Sequence, residues 1–265
     1  MGMPAILTQR ILPAPGTSAW QRRLFGRCGL EIKHLQTGRA EVVQIDLALP
    51  FGLSGRARRK AYARALAQMT NLGVREAVLP GHLEAEGVRL GLRPCDDLPA
   101  LRRLAARAVL GCMGRQAPLG QVRIFARAAD RDVLSCVEEL AGKCRYLRLG
   151  GGAWAGPVQA GLLENFGMAA PGEDMGACRA AVAFDDGFAY RGEDVVIDLT
   201  RKGLDCPRAV RPELILRDGD GWLPETALYG RSRLLGSLLL SGSLPWPRAE
   251  VWWGRALDRY GPIRI

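Results

Sequence analysis

The feature that most narrows what this chain can fold into is its hydrophobic rhythm, which alternates between strand-like runs and helical spacing. Glu41–Leu49 (EVVQIDLAL) is apolar and β-branched, the composition of a strand. Pro50 to Gly55 reads as a tight loop with Ser54 as a helix N-cap. Residues 55–72 then place Ala57, Ala61, Ala65, Leu66, Met69 and Leu72 at helical spacing. Gly73 stops that helix, and Glu76–Pro80 (EAVLP) supplies the next strand. A strand–helix–strand unit of this kind makes parallel strand pairs with helices packed over the sheet.

The rhythm continues to the end of the chain. Residues 1–40 read as irregular apart from a short strand at Ile6–Leu12, and residues 81–95 carry no clear pattern. Asp96 or Asp97 caps a helix through Ala100, Leu101, Leu104, Ala108 and Val109, ending near Gly111 or Gly114. Residues 115–121 read as a connection, which divides the chain into an α/β N-terminal region, 1–115, and a second region, 116–265. In the second region Val122–Ala126 is a strand, and Asp130 caps a helix carrying Val133, Leu134, Val137 and Leu140. Tyr146–Leu149 is the next strand, followed by a glycine-rich turn and a helix over about 157–166 that Gly167 ends. Met168–Ala170, Arg179–Phe184, Asp194–Leu199 and Glu213–Leu216 are further strands, and Leu228–Leu240 is a helix. No fixed-period repeat is present. The expected class is α/β, with mostly parallel sheets flanked by helices.

Composition bounds the setting. The formal charge is +10, nearly all from arginine, because Lys33, Lys60, Lys143 and Lys202 are the only lysines. Such a chain can attract nucleic acid, phosphorylated metabolites or acidic membranes, or its arginines can simply reflect a GC-rich genome. They are scattered and form no long basic block, which favours the second reading and disfavours nucleic acid as the partner. The seven cysteines are odd in number, dispersed and without C-x-x-C, which argues against a disulfide framework or a zinc knuckle and for a reducing, cytoplasmic setting. Met1 to Pro15 lacks a signal-peptide h-region, and Leu234–Leu240 is too short to span a bilayer, so no membrane is expected.

The most informative motif is YLRLGGGAWAGPVQAGLLENFG, in which a strand runs into Gly150, Gly151 and Gly152, then Gly156, then a helix. Glycine lets backbone approach a ligand closely, and the following helix N-terminus suits a phosphate. The spacing, G-x-G-x-x-x-G, resembles the glycine-rich turn of Rossmann-type NAD(P)-binding proteins and more loosely the G-x-G loop of methyltransferases that use S-adenosylmethionine. The resemblance covers about residues 122–217. It implies a Rossmann-like second half, NAD(P) as cofactor, and Glu173 or Asp174 as the acidic residue on the ribose. Arg148 stands where a methyltransferase carries an acid, and Trp154 lies inside the turn. The other reading of these glycines is a structural turn in an accessory or regulatory protein that holds no cofactor.

A second constellation lies in LPFGLSGRARRKAYARAL, where Arg56, Arg58, Arg59 and Lys60 crowd the start of the first helix. Cations there oppose the helix dipole, which a bound anion would relieve. Ser54, Arg56, Arg58 and Arg59 are therefore candidates to hold a phosphate-bearing small molecule; the alternative is a solvated basic face. His82, in PGHLEAE, is the candidate general acid or base, while His34 has no such placement. Asp185, Asp186 and Asp198 end strands and suit either a ribose contact or a turn, and DGDG at Asp218–Gly221 reads as a tight turn. Trp246, Trp252 and Trp253 form an aromatic group near the C-terminus. No P-loop, nucleophile elbow or metal-ligand spacing is present, so no metal is expected. No acid, base or nucleophile stands out strongly enough to assign a reaction, and no motif encodes an oligomeric state.

Overall fold

Glu41–Leu49 and Ile6–Leu12 become the two longest parallel neighbours of the protein. A computed structural model describes residues 3–12, 28–37, 40–113, 119–169, 178–217, 222 and 230–252. Its elements run β1 (Pro4–Leu12), β2 (Gly29–Thr37), β3 (Ala40–Pro50), α1 (Gly55–Asn71), β4 (Glu76–Val78), α2 (Gly81–Arg89) and β5 (Arg93–Pro94). They continue with α3 (Leu98–Arg103), α4 (Ala105–Met113), β6 (Leu119–Phe125), α5 (Arg131–Leu140), β7 (Cys144–Gly150) and α6 (Ala155–Phe166). Last come β8 (Ala180–Ala183), β9 (Val195–Asp198), β10 (Ala209–Val210), β11 (Glu213–Leu216), α7 (Arg231–Leu240) and β12 (Ala249–Trp252). The chain divides into two compact units, residues 1–97 with 215–249, and residues 98–214 with 250–265. It leaves the first unit at Asp97 and crosses back within β11, which pairs with β12 in a two-stranded sheet.

The first unit holds a mixed sheet in the order β2-β3-β1-β4-β5. β1 lies parallel to β3, from Ala5↔Val43 to Leu12↔Pro50, and parallel to β4, from Pro4↔Glu76 to Ile6↔Val78. β2 is antiparallel to β3 and corrects the expectation that residues 1–40 are irregular beyond the first strand. Its sequence, GLEIKHLQT, alternates half-buried Leu30 and Ile32 with exposed Glu31 and Lys33, the pattern of an edge strand with one wet face. The odd-numbered face of β1 buries Ala5 and Leu7 with Val43, Ile45, Leu47 and Leu49 of β3 against Ala61, Tyr62, Ala65, Leu66 and Met69 of α1 and Leu83 of α2. The even-numbered face takes α7, whose Leu234, Leu235, Leu238 and Leu239 are all buried. Gly230, at the start of α7, lies so close to Val78 that a Cβ there would collide with its side chain. Residues 81–95, unassigned from sequence, form α2 and the two-residue β5.

The second unit is built on an all-parallel sheet in the order β10-β9-β8-β6-β7. The chain steps outward from β6 to β7, returns past β6 to β8, and continues to β9 and β10. Connections from β6 and β8 therefore leave in opposite directions. α3 and α4, expected as one helix, are interrupted at Leu104, whose N–H is shared between Ala100 O and Leu101 O. Asp130 caps α5 by accepting from Val133 N at 2.9 Å. Arg123, in the middle of β6, is buried with Glu193: Nη1 donates to Glu193 Oε1 at 2.8 Å and to Ala189 O at 2.8 Å. That pair ties the β8–β9 connection to the centre of the sheet. Met168 and Ala169 are not in a strand, and Ala170 lies outside the described residues.

Candidate functional site

In open α/β sheets the strand carboxyl ends carry the ligand-facing loops, most productively where neighbouring connections diverge. Each unit has one such point. In the first, β1 is followed by β2, which lies beyond β3, and β4 is followed on its other side by α2 and β5, so the two diverge side by side. His82 stands here, as the second residue of α2 rather than in a loop. Its ring meets the buried Tyr62 ring edge-on, with centroids 5.2 Å apart. Tyr62 Oη donates to Gln9 Oε1 of β1 at 2.9 Å. Three elements thus bring Gln9, Tyr62 and His82 together, and neither Gln9 nor Tyr62 was singled out from sequence, because only the register of β1 under α1 joins them.

The basic constellation belongs to the same edge. Pro50–Leu53 forms a tight turn closed by Leu53 N donating to Pro50 O at 3.3 Å, with Gly52 at φ +76° as the residue that must turn left-handed. Ser54 then caps α1 as expected, its Oγ accepting from Ala57 N at 3.3 Å. Arg58 and Arg59 precede Tyr62 by four and three residues, so they lie one turn nearer the edge on the same side of α1. Arg56, Arg58, Arg59 and Lys60 are exposed, and the first turn of α1 contains no acidic residue. Ile11, two residues beyond Gln9 on the same face of β1, is 65% exposed, and Phe51 in the adjoining turn is 67% exposed. The edge therefore combines guanidinium groups, two helix N-termini, an imidazole and an apolar rim.

On the opposite face of the same sheet lies a buried polar trio. Gln44 Nε2 donates to Thr8 Oγ1 at 3.1 Å, and Thr8 Oγ1 lies 3.4 Å from Asp46 Oδ1. The signal was present in EVVQIDLAL: Gln44 and Asp46, two apart in an otherwise apolar strand, must share one face.

In the second unit the connections diverge between β6 and β8, and side chains of the unit itself occupy that edge. Arg102 of α3 donates from Nη1 to Phe184 O at 2.9 Å and from Nη2 to Asp130 Oδ2 at 2.6 Å, with its guanidinium 5.0 Å from the centre of the Phe184 ring. It bridges the carboxyl ends of β6 and β8. Asp185 Oδ2 accepts from Arg127 N at 2.8 Å, joining the same two loops. Beside them, burial first and Asp130 second hold the Asp132 carboxyl above its usual range.

The glycine turn follows β7, the edge strand, whereas the central β6 runs into Ala126–Asp130, which contains no glycine. In dinucleotide-binding folds the glycine turn follows the first, central strand. Gly151 has φ +105°, and a Cβ on it would collide with Ala126 O, just as one on Gly152 would collide with Arg127 O. Trp154 Nε1 donates to Ala126 O at 2.8 Å. Gly150 O accepts from Ala126 N at 3.0 Å, so the turn is stitched onto the end of β6. Gly156 is exposed with open space around it. Glu173 and Asp174 lie outside the described residues, and β8, the strand after them, pairs with β6 and not with β7.

The remaining candidates resolve as turn formers or fall outside. Asp198 Oδ1 accepts from Thr200 N at 2.9 Å and from Thr200 Oγ1 at 2.7 Å, while its Oδ2 accepts from Leu204 N at 2.9 Å. Asp186 and Gly187 turn the chain after β8. His34 is an exposed partner of Glu41 at 3.1 Å. Asp218–Gly221 and Trp253 lie outside the described residues, and Trp246 is half-buried in a short turn before β12. Among the described residues no group of three or more His, Cys, Asp or Glu side chains is placed to hold a metal ion, and no helix is long and apolar enough to cross a membrane. Comparison of the chain with protein-family models, with curated proteins and with solved structures found no match.

Proposed function

We propose that this protein binds a small molecule bearing a phosphate at the carboxyl edge of the sheet in its first unit. Arg58 and Arg59 hold the anion, and Ile11 and Phe51 cover an apolar part of the same ligand. What supports the reading is that α1 and α2, whose first turns carry the arginines and His82, both follow strands at this edge, and that Tyr62, one turn beyond Arg58 and Arg59, meets the His82 ring. An anion there sits against the positive end of the α1 dipole and offsets the mutual repulsion of the arginines. In this reading His82, whose ring packs on Tyr62, faces the same ligand. No reaction is assigned to it.

The order of the parallel sheet supports reading the second unit as a Rossmann-like layer. We read its glycine turn as structural, because Trp154 and Arg102 occupy the edge that a nucleotide would need and the glycines are accounted for by their approach to Ala126 and Arg127. The second unit then holds no nucleotide at that turn.

Thermal unfolding with inorganic phosphate, phenyl phosphate, NAD, NADP, S-adenosylmethionine and ATP tests both statements. A ligand at one hundred times its Kd adds about 2.7 kcal/mol to stability. The expected result is a higher Tm with phenyl phosphate than with inorganic phosphate, lost in Arg58→Ala/Arg59→Ala and reduced to the inorganic value in Phe51→Ser. No shift with any phosphate monoester overturns the site. A shift with NAD that survives the double arginine change and disappears in Gly156→Asp restores the glycine turn as a nucleotide site.

A further inference from the structure

We draw no further inference here: the strongest candidate, the surface patch of Leu163 and Phe166 exposed on α6, carries nothing because nothing in the structure shows what covers it.

Discussion

Gly151 and Gly156 belong to one motif, yet their surroundings give them different roles. Gly151 combines a left-handed φ with backbone contact to Ala126, so Gly151→Ala is expected to cost roughly 2 kcal/mol or more. Gly156, in the first turn of α6 with nothing near its missing Cβ, is expected to tolerate alanine or gain up to about 1 kcal/mol from helix propensity. Urea unfolding of the two variants checks this, and equal effects would contradict it. The thiols divide in the same local way. Burial pushes Cys95 and Cys144 up to about 12 and Cys112 up to about 11, and it raises Cys136 and Cys178 as well. Because the thiolate is the nucleophile, Ellman's reagent on the native protein should label half-buried Cys28 and Cys206 well before these five. Fast labelling of Cys95 or Cys136 would show the core to be open.

Among the elements, α5 is tied down by the half-exposed Asp130 and the β8–β9 connection by the buried Arg123–Glu193 pair. Asp130 both caps α5 and accepts from Arg102, so Asp130→Ala is expected to cost about 1–2 kcal/mol, more than Ser54→Ala at the start of α1. Arg123 and Glu193 are paired with side chains 8% and 1% exposed. Arg123→Ala would leave a buried carboxylate without its partner, at a cost of about 3–5 kcal/mol. Replacing both, as Arg123→Met/Glu193→Leu, should recover much of that loss, although Arg191 N then loses its acceptor at Glu193 Oε2. Denaturant midpoints for the two variants decide the matter; a double variant no better than the single would mean that the pair contributes more than it costs to bury.

For the whole molecule the raised thiols set a pH dependence. In the unfolded chain a thiol ionises near about 8.5, so above that pH the unfolded state binds fewer protons than the folded one. Stability is then lost as pH rises toward the folded values of about 11 to 12, by up to about 1.4 kcal/mol per pH unit for each buried thiol. The urea midpoint should fall from about pH 9 upward, and Cys95→Ala/Cys112→Ala/Cys144→Ala should fall less steeply; parallel curves would refute the thiol origin. Much of this fold is legible in the chain. The period change at Glu41–Leu49 and residues 55–72, the caps at Ser54 and Asp130, and the stop at Gly167 are local signals, because propensity, capping and periodicity act over a few residues. Ser54 and the arginines beside it could be suspected for the same reason. Strand order could not, because pairing partners are chosen by which faces can be buried together across long separations. Only the tertiary structure placed the glycine turn after an edge strand, packed Trp154 onto Ala126, and brought Gln9, Tyr62 and His82 to one edge. The meaning of each of those residues depends on neighbours that lie 20 to 53 positions away, and no local pattern records them.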